Sequence, residues 1–117
     1  MTASAIIQQA VDLLGYTSMG DSEERYTANA ITAINSVYAD LFYLHKNTGF
    51  KRITSAADTL DLDERLLVDV MPYGVAAMLA QTMGDGDSQQ YYSAMYNLKR
   101  KALGNTTIED VIEGVDG

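Results

Sequence analysis

Few residues in this chain could do chemistry. His45 is the only histidine and cysteine is absent, so a nucleophile and base pair built on imidazole or thiolate has at most one member to draw on. Its position near a helix end suits a cation or cap at the carbonyl pole, and that is the role expected of it. Asp61, Asp63 and Glu64 suggest a calcium loop, but Arg65 stands where an oxygen ligand is needed and Leu66 where glycine is needed. Asp85 and Asp87 fail in the same way, with Gln90 in the glycine position. Both sets read as turn and cap acids. Gly84 and Gly86 are followed by no lysine-serine or lysine-threonine pair and preceded by no strand, which excludes a phosphate loop. Tyr91, Tyr92 and Tyr96 read as core or interface residues rather than base-stacking ones, because no basic groove surrounds them. The residues thus point to no catalytic, cofactor-binding or metal-ligating site, and no enzyme is expected.

Charge narrows the partners. The net charge is −8, from 16 acids against 8 bases. Between Asp58 and Asp87 only Arg65 opposes Asp58, Asp61, Asp63, Glu64, Asp69, Asp85 and Asp87. Phosphate neutralisation supplies most non-specific affinity for nucleic acid, so a tight general binder is not expected. The bases gather as Lys46, Lys51 and Arg52 and as Lys99-Arg100-Lys101. The second group reads as the last turn of a helix, where cations complement the macrodipole. The longest uncharged run, Val70 to Gly84, is too short to span a bilayer. Met-Thr-Ala-Ser has no basic n-region, so no secretory signal is expected. The sequon at Asn105-Thr106-Thr107 then reads as idle.

The elements that must position these residues follow from periodicity. At 117 residues and 47% apolar content one domain is expected, able to bury roughly two-thirds of its unfolded surface. Thr2 or Ser4 can cap a first helix carrying Ile6, Ile7, Ala10, Val11, Leu13 and Leu14, closed by Gly15. Tyr16 to Gly20 is a loop, and Asp21 with Glu24 resembles a capping box. A long second helix then carries Tyr26, Ala30, Ile34, Val37, Tyr38, Leu41 and Phe42 and stops between Lys46 and Gly49. Phe50 to Asp63 breaks the helical period, and Thr59 to Asp63 alternates as an extended segment does. Paired with Phe50 to Ile53 it could make a small β-hairpin. Leu66, Leu67, Val70, Met71, Val75 and Met78 keep helical spacing through Pro72, which demands a kink there or a helix beginning just before it. Gly84-Asp85-Gly86 turns this third helix into a fourth, with Asp87 as the expected cap and Gln90 as its partner. The expected core is Ile34, Val37, Leu41, Val75, Met78, Leu79, Met95 and Leu103. The fold class is therefore mainly α: a four-helix bundle-like domain over residues 1–104, with the extended or hairpin segment between the second and third helices. Residues 105–117 are expected as an extended C-terminal tail.

In its order of features the chain resembles the small head-tail connector (adaptor) proteins of tailed bacteriophages. The likeness rests on Leu13-Leu14-Gly15, on Ala30, Ile34 and Asn35, on Ile53-Thr54-Ser55 and on Leu60-Asp61-Leu62 before Leu66 and Leu67. It continues through Met71-Pro72-Tyr73-Gly74-Val75-Ala76-Ala77-Met78-Leu79-Ala80, then Gly84-Asp85, Tyr92, Tyr96 and Lys99-Arg100. It covers nearly the whole chain as a diffuse apolar and small-residue pattern. The resemblance implies a structural subunit of the virion neck, made in the host bacterial cytoplasm, of a phage or prophage. Its ring, dodecameric when assembled from subunits that can be monomeric in solution, would sit below the portal protein and give a tail or head-completion protein its attachment surface. Double-stranded DNA would pass through the channel without tight binding. No cofactor and no membrane are implied. Two stretches with apolar residues and no core of their own are the candidate protein-interaction residues: Phe50, Ile53, Leu60 and Leu62, and Ile108, Val111, Ile112 and Val115. Both are expected to be mobile alone and ordered by contact. The alternative class is a small helical protein-binding regulator, antirepressor-like or chaperone-like. A helix-turn-helix DNA binder is weaker, since no helix is rich in Arg, Asn and Gln.

Overall fold

The computed structural model describes residues 1–15, 23–45 and 49–116, with side chains left out for residues 23–28, 45 and 103–116. The loop expected at Tyr16 to Gly20, Asp21 of the capping box and the stop at Lys46 to Thr48 lie outside the described residues. Four helices follow one another: α1 (Ala3–Leu14), α2 (Glu23–His45), α3 (Met71–Thr82) and α4 (Gly86–Asp116). The fold is mainly α and bundle-like, and no strand occurs among the described residues.

The ends of α1 and α3 and the start of α4 show their local causes. Thr2, in an extended conformation, caps α1 by accepting the Ala5 N–H at 3.2 Å, and Gly15 closes it at φ 75°. Ahead of α3 the chain is already helical from Glu64, and Leu66–Val70 form a π-helical turn in which the Met71 N–H reaches back to the Leu66 carbonyl. Pro72 explains it. An α-helical proline would crowd the carbonyl four residues earlier and leave it without a donor, and a widened turn relieves both faults without ending the helix. Pro72 then lies at the start of α3, where a missing N–H costs nothing. At the other end Gly84 takes φ 75°, its N–H bonds to Gln81 O, and the Asp85 N–H bonds to Ala80 O at 2.8 Å. That pair of bonds is a Schellman closure. Asp85 caps the next helix as well, accepting the Ser88 N–H on Oδ1 at 3.2 Å. The expected cap, Asp87, is instead inside the first turn of α4, because the helix begins two residues sooner, as soon as Gly84 has reversed the chain.

α3 is the central element. Met71, Pro72, Gly74, Val75, Ala76, Ala77, Leu79 and Ala80 are all buried, so it is apolar nearly all round, as a helix enclosed by others must be. It packs against α1, α2 and α4. Its small residues set the spacing: a Cβ on Gly74 would lie 2.8 Å from the Tyr96 ring of α4 and 3.0 Å from Val37 of α2. Around it Ile6, Ile34, Leu41, Val70, Met71, Val75 and Leu79 are fully enclosed. Of the expected core, Ile34, Val37, Leu41, Val75 and Leu79 are buried, while Met78 and Met95 are only half-buried. The side chain of Leu103 lies outside the described residues.

The backbone decides between the two alternatives for the middle segment and corrects one expectation at the C-terminus. The middle segment is extended but forms no hairpin, because its backbone groups bond elsewhere: Thr59 bridges Thr2, and the Leu60 N–H bonds to Met1 O at 3.1 Å. Residues 105–116 are not an extended tail, since α4 runs on through Gly104 to Asp116. A lone glycine costs a helix interior only about 1 kcal/mol relative to alanine, and without a left-handed turn it is no stop.

Candidate interaction surfaces

The middle segment satisfies itself within one chain. The Asn35 side chain reads the backbone of Ile53 from both sides, donating to its carbonyl at 2.9 Å and accepting its N–H at 2.8 Å. The Tyr38 hydroxyl accepts the Asp61 N–H at 2.9 Å. Carbonyls of Asp58 and Ala56 accept the first free N–H groups of α1, from Ala3 and Ser4, at 2.9 and 2.8 Å, so the loop supplies part of that helix's cap. Within the loop, Asp58 Oδ2 accepts the N–H groups of Thr54 and Ser55, which together hold its carboxyl below the usual range. Ile53 and Leu60 are consequently part of the core, at 4% and 6% exposure, and cannot serve as a surface. Phe50 and Leu62 are half-buried. The Phe50 ring lies 5.1 to 5.7 Å from those of Tyr38, Phe42 and Tyr43. These four residues therefore hold the chain together before they meet any neighbour.

The acids singled out by sequence also have local work. Asp63 Oδ1 accepts the Arg65 N–H at 2.8 Å, and its carbonyl accepts those of Leu66 and Leu67, so it starts the helical run leading into α3. The side chain of His45 lies outside the described residues.

α4 is attached by polar contacts along one side, and none of its described side chains is fully buried. The Tyr92 hydroxyl donates to Leu13 O of α1 at 2.6 Å. On α2, Asp40 accepts the Tyr96 hydroxyl at 2.6 Å and a two-pronged bond from Arg100 at 2.6 and 3.0 Å. Partial burial alone would raise the Asp40 carboxyl, but the Arg100 and Tyr96 hydrogen bonds and the Arg100 charge outweigh it, and the net shift is downward. Burial first, and then the bond to Asp40, push the Tyr96 phenol far above its ordinary range. Lys99 bonds to Asp69 at 2.9 Å and lies 4.8 Å from the centre of the Tyr73 ring. Lys99 and Arg100 are thus mid-helix clamps, not the last-turn cations expected, because α4 continues well past them. Tyr91 and Leu98 face away, 59% and 64% exposed.

The register shows where the clamp ends. Tyr92 meets Tyr73 and Lys99 meets Asp69, so numbers fall on the α3 side as they rise on α4. At that rate Gly104 is level with about Leu66, and Ile108 with Glu64, where the facing helical run begins. Residues 109–116 extend about 12 Å further. Within residues 105–116, Ile108, Val111, Ile112 and Val115 occupy positions i, i+3, i+4 and i+7.

Grooves border the helices. One of about 240 Å³ lies where Gly74, Asp40 and Tyr96 meet, and one of about 300 Å³ lies between α1 and Pro72. The Gln9 side-chain oxygen, which borders the second groove, is buried with no hydrogen-bond partner among the described residues. A wider one, about 490 Å³, follows the outer face of α2 along Thr32, Asn35, Ser36, Ala39 and Tyr43 to Phe50 and Arg52. Sequence reasoning took from α2 only its apolar face. The outer row was visible as small and polar residues at the same three-and-four spacing, but periodicity cannot tell a groove from plain solvated surface. No helix of the described residues is long and apolar enough to cross a membrane. Comparison with protein-family models, curated proteins and solved structures finds no match.

Proposed function

We propose that the chain is a structural, non-catalytic head-tail connector of a tailed phage or prophage. Its subunits form a ring below the portal, extending the DNA channel and offering the tail an attachment surface. The observation that carries this reading is α4. At 31 residues it is about 46 Å long, against about 28 Å for the helical run over residues 64–82 that it packs on. A helix that outruns its own bundle while keeping a spaced aliphatic row has its remaining contacts to make with other subunits. The order of sequence features shared with the connector family supports the same reading. So does the net charge of −8, since an acidic lumen repels DNA phosphates and keeps the duplex from sticking as it passes.

The test is co-sedimentation of the purified chain with portal-bearing capsids of the parent phage, together with mass measurement of the free and portal-bound protein. Ring-sized assemblies on the portal are expected, whether or not the free protein is a monomer. A chain that stays monomeric and leaves the portal untouched would overturn the connector reading in favour of a binding regulator.

A further inference from the structure

We propose that the groove on the outer face of α2 is the seat of residues 105–116 from a second copy of the chain, so that subunits join head to tail. The inference deepens the connector reading and rests on it for the ring. The groove runs along Thr32, Ser36, Ala39 and Tyr43, with Phe50 and Arg52 as its far wall. From Thr32 to Tyr43 α2 rises about 16 Å, and Ile108 to Val115 span about 10 Å, so the row of four aliphatic positions fits within the groove's length. Their i, i+3, i+4, i+7 spacing is the one by which a groove reads an amphipathic helix. Short side chains at Thr32, Ser36 and Ala39 let a helix axis approach closely. Tyr43 and Phe50 close one end with apolar surface.

Charge selects the occupant. Lys51 and Arg52 are exposed, and neither makes an ion pair among the described residues. Of the other described bases, Arg65, Lys99 and Arg100 are already paired, which leaves only Lys101. Residues 105–116 carry Glu109, Asp110, Glu113 and Asp116 and no base. Arg52 lines the groove and Lys51 is its neighbour in sequence, so the acidic segment and this basic end of the groove are complementary.

The occupant must come from another copy. Tyr96 stands beside Val37 and Arg100 binds Asp40, so numbers rise together along α2 and α4. Continued at that rate, residue 105 is level with Leu44 and residues 107–116 of the same unbroken helix lie past the C-terminal end of α2, whereas the groove runs back from Tyr43 to Thr32. A contact between unlike surfaces, groove on one subunit and helix end on the next, leaves a free groove and a free end at each step, and closes into a ring when the rotation permits.

Because the chain has no cysteine, Ala39→Cys and Val111→Cys can be placed in one full-length chain. It is cross-linked with a short bismaleimide, both free at graded concentration and on portal-bearing capsids. A ladder of dimers, trimers and higher species is expected from the double variant, and dimers alone from a mixture of the two single variants. Lys51→Glu with Arg52→Glu should lower the ladder yield at least tenfold, and Glu109→Lys with Glu113→Lys in the same chain should restore it. A cross-linked monomer, or no ladder in either setting, overturns the groove contact. If such a chain still sediments with capsids, the connector reading survives that failure, whereas a ladder without capsid association keeps the contact and sinks the connector reading.

Discussion

Residues 50–63 and residues 105–116 pose the same problem in sequence, apolar side chains without an obvious core, and the structure treats them oppositely. The middle segment has no regular secondary structure yet is stitched down: Asn35 grips Ile53, Tyr38 grips Asp61, and Ile53 and Leu60 enter the core. The C-terminal stretch is regular helix yet runs on past the end of the helical run it would pack against. Regular backbone and burial are thus separate achievements. A helix satisfies its own backbone wherever it goes, whereas an extended strand of chain must find partners, and partners come with burial. The expectation that both stretches stay mobile until a neighbour orders them therefore loses its basis for the first.

The contrast can be broken most sharply at Leu60. Leu60→Ala should cost about 2 to 5 kcal/mol, as for a buried leucine, read as a fall in the denaturant midpoint at unchanged slope. A change below about 0.5 kcal/mol, the size typical of surface sites, would show that the middle segment is not part of the core. Next comes Asn35→Ala, which strands a backbone donor and an acceptor of Ile53. A loss of about 1 to 3 kcal/mol is expected, with faster amide exchange at Ile53. Unchanged exchange there would mean that the grip of Asn35 is not what holds the segment.

At the turn between α3 and α4, Asp85→Ala should cost about 1 kcal/mol as the loss of a helix cap. Asp87→Ala should cost less, since only a charge near the helix N-terminus is removed. The reverse order of melting midpoints would move the cap back to Asp87. The clamp between α2 and α4 is tested by acid. The Asp40 carboxyl is depressed in the folded state, so its contribution is present above the unfolded value of about 3.9 and disappears as pH falls through the lower folded value. Asp40→Asn should therefore flatten the acid limb of stability below about pH 4. Being two-fifths exposed, the pair contributes no more than about 1 kcal/mol near neutrality. An acid limb identical to wild type would remove the clamp from the account.

The smallest effect is expected at the other member of the comparison. Ending the chain at Gly104 should shift stability by less than about 0.5 kcal/mol, with the helical circular dichroism lower by the missing turns, while association with portal-bearing capsids is lost. A large drop in melting temperature would show that residues 105–116 pack on their own bundle, and wild-type capsid occupancy would show that they carry no docking.

Much of the architecture was legible. Helix spacing announced four helices, and Gly15 and Gly84 stand where left-handed turns end two of them. Less of the candidate surface was visible. Asp40 and Arg100 are 60 residues apart, as are many chance pairs of opposite charge, and nothing local marks them as partners. Ile53 and Leu60 looked like surface residues because their neighbours alternate, and alternation reports one covered face without saying what covers it. Local signals decide local matters, because capping, turn geometry and periodicity act within a few residues. Thus composition and spacing determined by themselves that this chain is helical, acidic and turned at Gly84. Only the tertiary structure decided that Pro72 is absorbed by a π-helical turn and that Gly74 is the close crossing of three helices. It also decided that Asn35 anchors the middle segment while α4 outruns its bundle, since each of these depends on which distant groups compete for the same space and the same hydrogen bonds.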